Sequence, residues 1–141
     1  ILFLVCDHIF KSVSDKLQVS AGGKEDAKEK LKNAIRDYFI IIDSIQDYTL
    51  LLYQETKSLN RKDRNYVLSA EMELTKIFEN ILAQGIKEKT FNIDKHTAKI
   101  VANNIMVQGQ MWSFRRWVAQ KNYSLNNYIQ IQTDLIINAI S

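Results

Sequence analysis

Apolar side chains recur every three or four positions along most of this chain, the spacing that lines one face of an α-helix. Leu2, Val5, Ile9, Val13 and Leu17 keep that spacing from the outset, so the chain is expected to start inside a first helix. Ser20-Ala21-Gly22-Gly23 interrupts it, because paired glycines beside small polar residues carry no helical preference. From about Lys24 a second helix is expected, with Ala27, Leu31, Ile35, Tyr38, Phe39 and Ile42 on its apolar face and Lys and Glu on the other. The phase slips between Asp43 and Asp47, which predicts a bend and a third helix over about Tyr48 to Ser58, through Leu51, Leu52 and Glu55. Asn60 or the Arg61-Lys62-Asp63-Arg64 cluster then breaks the run. A long fourth helix follows with Val67, Ala70, Leu74, Ile77, Phe78, Ile81 and Leu82 inward, ending near Gly85 or a turn later.

Asn92-Ile93-Asp94 supplies a turn and a capping carboxylate for a fifth helix, because an Asp side chain just before a helix accepts from its unpaired N–H groups. That helix runs from Lys95 through Ala98, Val101, Ala102, Ile105 and Gly109 to Trp112 and on to Trp117-Val118. Lys121-Asn122-Tyr123-Ser124 breaks it, and Ser124 caps a sixth helix. The apolar stripe of the sixth, from Leu125 and Tyr128 to Ile136 and Ile140, is too broad for packing on its own chain alone. Two terminal helices that are apolar on more than one face imply a twofold partner, and Trp117, Leu125, Tyr128, Ile129, Gln132, Leu135 and Ile136 are the expected dimer contacts. With no proline and four glycines in 141 residues, the fold class is all-α, six helices, the last two forming a four-helix bundle across the dimer.

Size and charge narrow the function. One domain of this length buries a proper core without staples. No apolar run reaches the ~18–20 residues of a membrane span, and Cys6, the single cysteine, suits a cytoplasmic protein, with no membrane partner expected. The net charge is +3, and residues 95–141 hold five basic side chains against Asp134 alone. That is too weak for a DNA footprint, which needs many phosphates neutralised. Cys6, His8 and His96 do not make the three or four ligands of a zinc site. A single Cys and two His with no Gly-rich elbow do not make a nucleophilic site, and Glu71 and Glu73 point apart on one helix, so neither enzyme activity nor a cofactor or metal is expected.

The order of elements, with Ile81, Leu82, Gly85 and Ile86 closing the long helix, Asp94 opening the next, and Trp117 late in it, resembles the ligand-binding and dimerisation domain of TetR-family transcriptional regulators. It is most similar to the branch that includes FadR and KstR regulators, in which Glu55 and Arg64 also have counterparts. The resemblance covers essentially all of residues 1–141 and implies a repressor. Its helix-turn-helix DNA-binding domain would lie upstream, absent from this chain, and would contact operator DNA. An apolar small-molecule effector, by analogy a fatty acyl-CoA, would alter DNA affinity from the body of the domain.

For that effector the expected lining is Tyr38, Phe39, Ile42, Leu51, Tyr53, Met72, Phe78, Gln108, Met111 and Trp112, aromatic and flexible side chains with an amide to orient a polar group. Plain core packing is the competing role for each. Arg64, Arg115 and Arg116 are the candidate phosphate contacts, since guanidinium pairs with phosphate and stacks on indole; a solvated turn or a dimer rim is the alternative. Gly109 is expected at a close helix approach. The rival to the regulator is a ligand-free helical module for protein–protein interaction.

Overall fold

The computed structural model describes residues 2–141, with side chains from Leu4 onward. The expected helical start therefore lies outside the described residues at Ile1, and for the side chain of Leu2. The described residues form helices α1 (Leu2–Ala21), α2 (Ala27–Ser44), α3 (Gln46–Glu55), α4 (Arg61–Lys87), α5 (Lys95–Phe114), α6 (Arg116–Asn122) and α7 (Leu125–Ile140), with one 3-10 turn, Thr56–Ser58, after α3. Four helices open on side-chain caps. Asp26 accepts from Glu29 N at 2.9 Å, Asn60 from Asp63 N at 2.8 Å, Asp94 from Thr97 N at 2.7 Å and Ser124 from Asn127 N at 3.1 Å. Such caps are each worth about 1 kcal/mol. Asp26 is why α2 begins at Ala27 rather than near Lys24, and Asn60 rather than the basic cluster divides α3 from α4.

The expected fifth helix is two helices, which makes seven where periodicity suggests six. The chain kinks at Arg115, whose φ of −108° and ψ of 30° leave the helical region while its N–H still reaches Met111 O. No glycine or proline marks the place. The cause is tertiary: beyond the kink, Gln120 donates to the Gln46 side chain at 2.7 Å and to Trp112 O at 3.0 Å, and Arg116 pairs with Asp47 at 3.1 Å. These bonds lay α6 beside the start of α3.

The core is centred on α2. Leu31, Ala34, Ile35, Tyr38 and Phe39 are almost wholly removed from water, and α1, α4, α5 and α7 all pack against this helix. Val13 and Leu17 come from α1, Phe78, Ile81 and Leu82 from α4, Ala102 and Ile105 from α5, and Ile136, Ile137 and Ile140 from α7. Tyr38 meets Phe78 edge-on, with ring centroids 5.7 Å apart. Gly109 stands where α5 crosses this cluster: a Cβ there would enter the Tyr38 ring and lie 3.2 Å from Phe39. The Gly109→Ala variant gains about 1 kcal/mol in helix propensity but meets overpacking of about 1–3 kcal/mol. Its urea midpoint is expected to fall, and a rise would show that the Tyr38 ring yields.

At the far end of α4, Gly85 O accepts from Thr90 N and Phe91 N, and the Phe91 ring covers Gly85 so closely that a side chain has no room. Asn92 N then donates to Ile140 O at 2.7 Å, tying this link to the end of α7.

Candidate ligand cavity and exposed apolar face

Two adjoining spaces lie between α1, the α2–α3 bend, α4 and α5. The inner chamber, about 60 Å³, is walled by Cys6, Ile9, Phe10 and Val13 of α1, Tyr38 and Ile42 of α2, Leu74 of α4 and Met106 of α5. The outer cleft, about 550 Å³ and open to solvent, is walled by Tyr53, Gln54, Lys57, Val67, Leu68 and Phe114. Thr49, Leu52, Glu71 and Gln110 line both, so they form the waist between them. The outer cleft alone falls in the roughly 300–1,000 Å³ range of small-molecule sites.

Local sequence explains who faces the cavity. Val67, Glu71 and Leu74, spaced four and three residues apart, lie on one stripe of α4 that continues into the core at Phe78; Met106, Gln110 and Phe114 are a stripe of α5. The polar groups are few. The Tyr38 hydroxyl donates to Met106 O at 3.2 Å and is also reached by the Gln110 side chain. Burial, and then the Glu71 carboxylate, hold that phenol protonated well above its usual range. Burial also pushes the Glu71 carboxyl up from the ordinary glutamate value. A raised acid costs nothing where it is protonated in both states. The folded state therefore loses stability as pH climbs from the ordinary value through the raised one.

Of the expected lining residues, the structure brings Tyr38, Ile42 and Tyr53 to the two spaces. Phe39 and Phe78 lie in the solid core. Leu51 and Met72 point to solvent, Met72 being 72% exposed one position round the helix from Glu71. Gln108, Met111 and Trp112 sit outside the cavity. The Trp112 ring meets Tyr128 of α7 at a tilt of 43° with centroids 4.9 Å apart and donates to Asp43 at 2.8 Å, while Gln108 O accepts from the Tyr128 hydroxyl at 2.5 Å. Arg64 donates to the carbonyls of Lys57 and Leu59, beside the rim of the outer cleft. Arg116 is engaged by Asp47 and Arg115 is exposed at the α5–α6 kink. Glu71, Gln110, Met106, Leu52 and the α1 wall were missing from the sequence-based lining.

The second feature is an uncovered apolar face. On α7, Ile131 and Leu135 are exposed, with Tyr128 and Gln132 half-buried beside them; on neighbouring α5, Ile100 and Val107 are exposed. Leu125 is half-buried and Trp117, on α6, is 82% exposed. Ile129 and Ile136 instead turn into the chain's own core, because α7 packs that edge on α2. The outward stripe of α7 is therefore carried by Ile131 and Leu135. Among the described residues no helix is long and apolar enough to cross a membrane.

Residues 24–120 match the family described as tetracyclin repressor-like, C-terminal domain, and the chain belongs to that family. Among curated proteins it is 22% identical over 134 residues to the HTH-type transcriptional regulator HbdR of Aromatoleum sp. (strain CIB), an alignment that takes in 92% of this chain. The chain spans 56% of that relative's length. Among solved structures, a tetR-family regulatory protein from Rhodococcus RHA1 superposes with a TM-score of 0.87 at 17% identity, over 99% of this chain and 72% of that one. The ketosteroid regulator KstR2 of Mycobacterium tuberculosis gives 0.78 at 14% identity, over 99% and 71%. The fatty acid degradation regulator FadR of Bacillus halodurans gives 0.76 at 13%, over 99% and 75%. At these identities the structures establish a shared fold. The family and these relatives are transcriptional regulators rather than enzymes.

Proposed function

We propose that residues 1–141 are the effector-sensing and dimerisation domain of a cytoplasmic TetR-type repressor whose DNA affinity, exerted through an upstream helix-turn-helix, is altered by an apolar small molecule. The observation that carries this reading is the position of α1: Cys6, Ile9, Phe10 and Val13 form one wall of the inner chamber. A molecule entering the chamber touches the helix nearest any amino-terminal domain. The exposed face of α5 and α7 supports a twofold partner, which would fix the separation of two reading heads on a palindromic operator. Effector and DNA are then coupled only by as much as the effector prefers one head spacing, and a tenfold change in DNA affinity takes about 1.4 kcal/mol.

Within the apolar class, fatty acyl-CoA is the first candidate. The outer cleft has the volume for a chain, and Lys57 with Arg64 places cationic side chains at its rim for phosphates, with Arg115 and Arg116 at the α5–α6 kink as further contacts. Palmitoyl-CoA at about a hundred times its dissociation constant is expected to stabilise the chain by about 2.7 kcal/mol, which raises the melting temperature by roughly 5–10 °C. A monomer whose melting does not respond to palmitoyl-CoA or palmitate would favour a ligand-free interaction module.

A further inference from the structure

We propose that Glu71 determines what kind of polar group the effector carries at the waist of the cavity: a hydrogen-bond donor, a protonated amine ahead of a hydroxyl, with carboxylates excluded. This rests on the reading that the cavity holds the effector. It narrows the acyl-CoA reading to chains that bring such a donor to the waist; an unsubstituted palmitoyl chain brings only methylenes there and tests the cavity, not Glu71.

Glu71 is the only carboxylate among the described residues that line the inner chamber and the outer cleft, and it lines both. Its stripe-mates Val67, Leu74 and Phe78 are buried, so the carboxyl is held on the apolar face of α4 and is half-buried itself. It forms no ion pair and no side-chain hydrogen bond among the described residues. Two of the polar neighbours are already committed. The Tyr38 O–H is directed to Met106 O, and Thr49 donates to Ile45 O at 3.3 Å. Lys57, the one Lys or Arg among the described residues lining the two spaces, is exposed on the wall of the outer cleft and forms no ion pair with Glu71. A carboxyl in that position is an acceptor that water reaches and that no protein side chain engages among the described residues. Partial burial makes an arriving ammonium worth more there than in water, and an arriving carboxylate meets like-charge repulsion that is relieved only by taking up a proton. Gln110, opposite on α5, can accept or donate and does not reverse that preference.

The test uses the full chain and four decyl probes below their micellar concentrations: decylamine, decanol, methyl decanoate and decanoate, titrated by calorimetry into the parent, Glu71→Gln and Glu71→Asp. The expected order in the parent is amine, alcohol, ester, carboxylate, with amine and carboxylate about a hundredfold apart. Glu71→Gln keeps the shape and removes a half-buried charge, so it folds; it is expected to lose at least tenfold in amine binding and little in alcohol binding. Glu71→Asp keeps the order. Decanoate binding as tightly as decylamine, or an order unchanged in Glu71→Gln, overturns the proposal while leaving the cavity as the effector site. If neither the four probes nor palmitoyl-CoA binds, the cavity reading fails and this inference fails with it.

Discussion

The double variant Ile131→Glu/Leu135→Glu is expected to sediment at half the mass of the parent while keeping its helical circular dichroism. Both side chains are large, apolar and uncovered, at 45% and 60% exposure, on a helix whose other edge fills the core. In a single chain, glutamate at these positions meets water, and surface changes of this kind shift stability by about 0.5 kcal/mol or less. In a twofold face each substitution occurs twice, so four carboxylates are desolvated at once. Each large apolar side chain lost from cover also forfeits about 2 kcal/mol, and like charges brought together add several more. A dimer held by this face has no comparable reserve. The same pair of substitutions at Ile129 and Ile136 is expected to unfold the chain instead, because those side chains are 9% and 6% exposed in the chain's own core. The two outcomes separate an interface role from a core role along one helix.

Phe78→Ala is expected to destabilise the chain by about 3–5 kcal/mol, the usual cost of deleting a fully buried aromatic. Phe78 has no exposed surface and its ring packs on the edge of Tyr38, which walls the inner chamber. The void left beside Tyr38 frees that ring, so palmitoyl-CoA binding should weaken together with the urea midpoint. Met72→Ala, on the outward face of the same helix, is the matched control and is expected to change neither. If Phe78→Ala loses stability and binds palmitoyl-CoA as before, Tyr38 does not need Phe78 to shape the chamber.

Much of this fold is legible in the chain because the local signals agree. The Gly22-Gly23 break, the Asp94 and Ser124 caps and the inward face of α4 all follow from spacing and capping chemistry. The kink at Arg115 does not, since nothing near Phe114 disfavours a helix. It is held by Gln120 and Arg116 reaching residues 69 or more positions away. The cavity was harder to read than the core. α5 is apolar on several faces, so composition does not say whether Met106, Gln110 and Phe114 or Gln108, Met111 and Trp112 turn toward α4. Glu71 was legible in principle: it sits in register with Val67, Leu74 and Phe78, and a charged residue inside an apolar stripe marks either a partner or a site. Met72, one residue on, has the right chemistry for a lining and the wrong angle. On α7 the alternation is equally fine, because Ile129 and Ile131, two residues apart, face the core and the solvent.

We infer that each chain encloses a place for an apolar molecule and offers its α5–α7 face to a second copy. Native mass spectrometry of the chain, purified without detergent and sprayed with and without palmitoyl-CoA, tests both halves in one spectrum. A species of two chains is expected, shifted by one or two bound molecules when palmitoyl-CoA is present. A single chain whose mass is unmoved by any concentration of palmitoyl-CoA would contradict it.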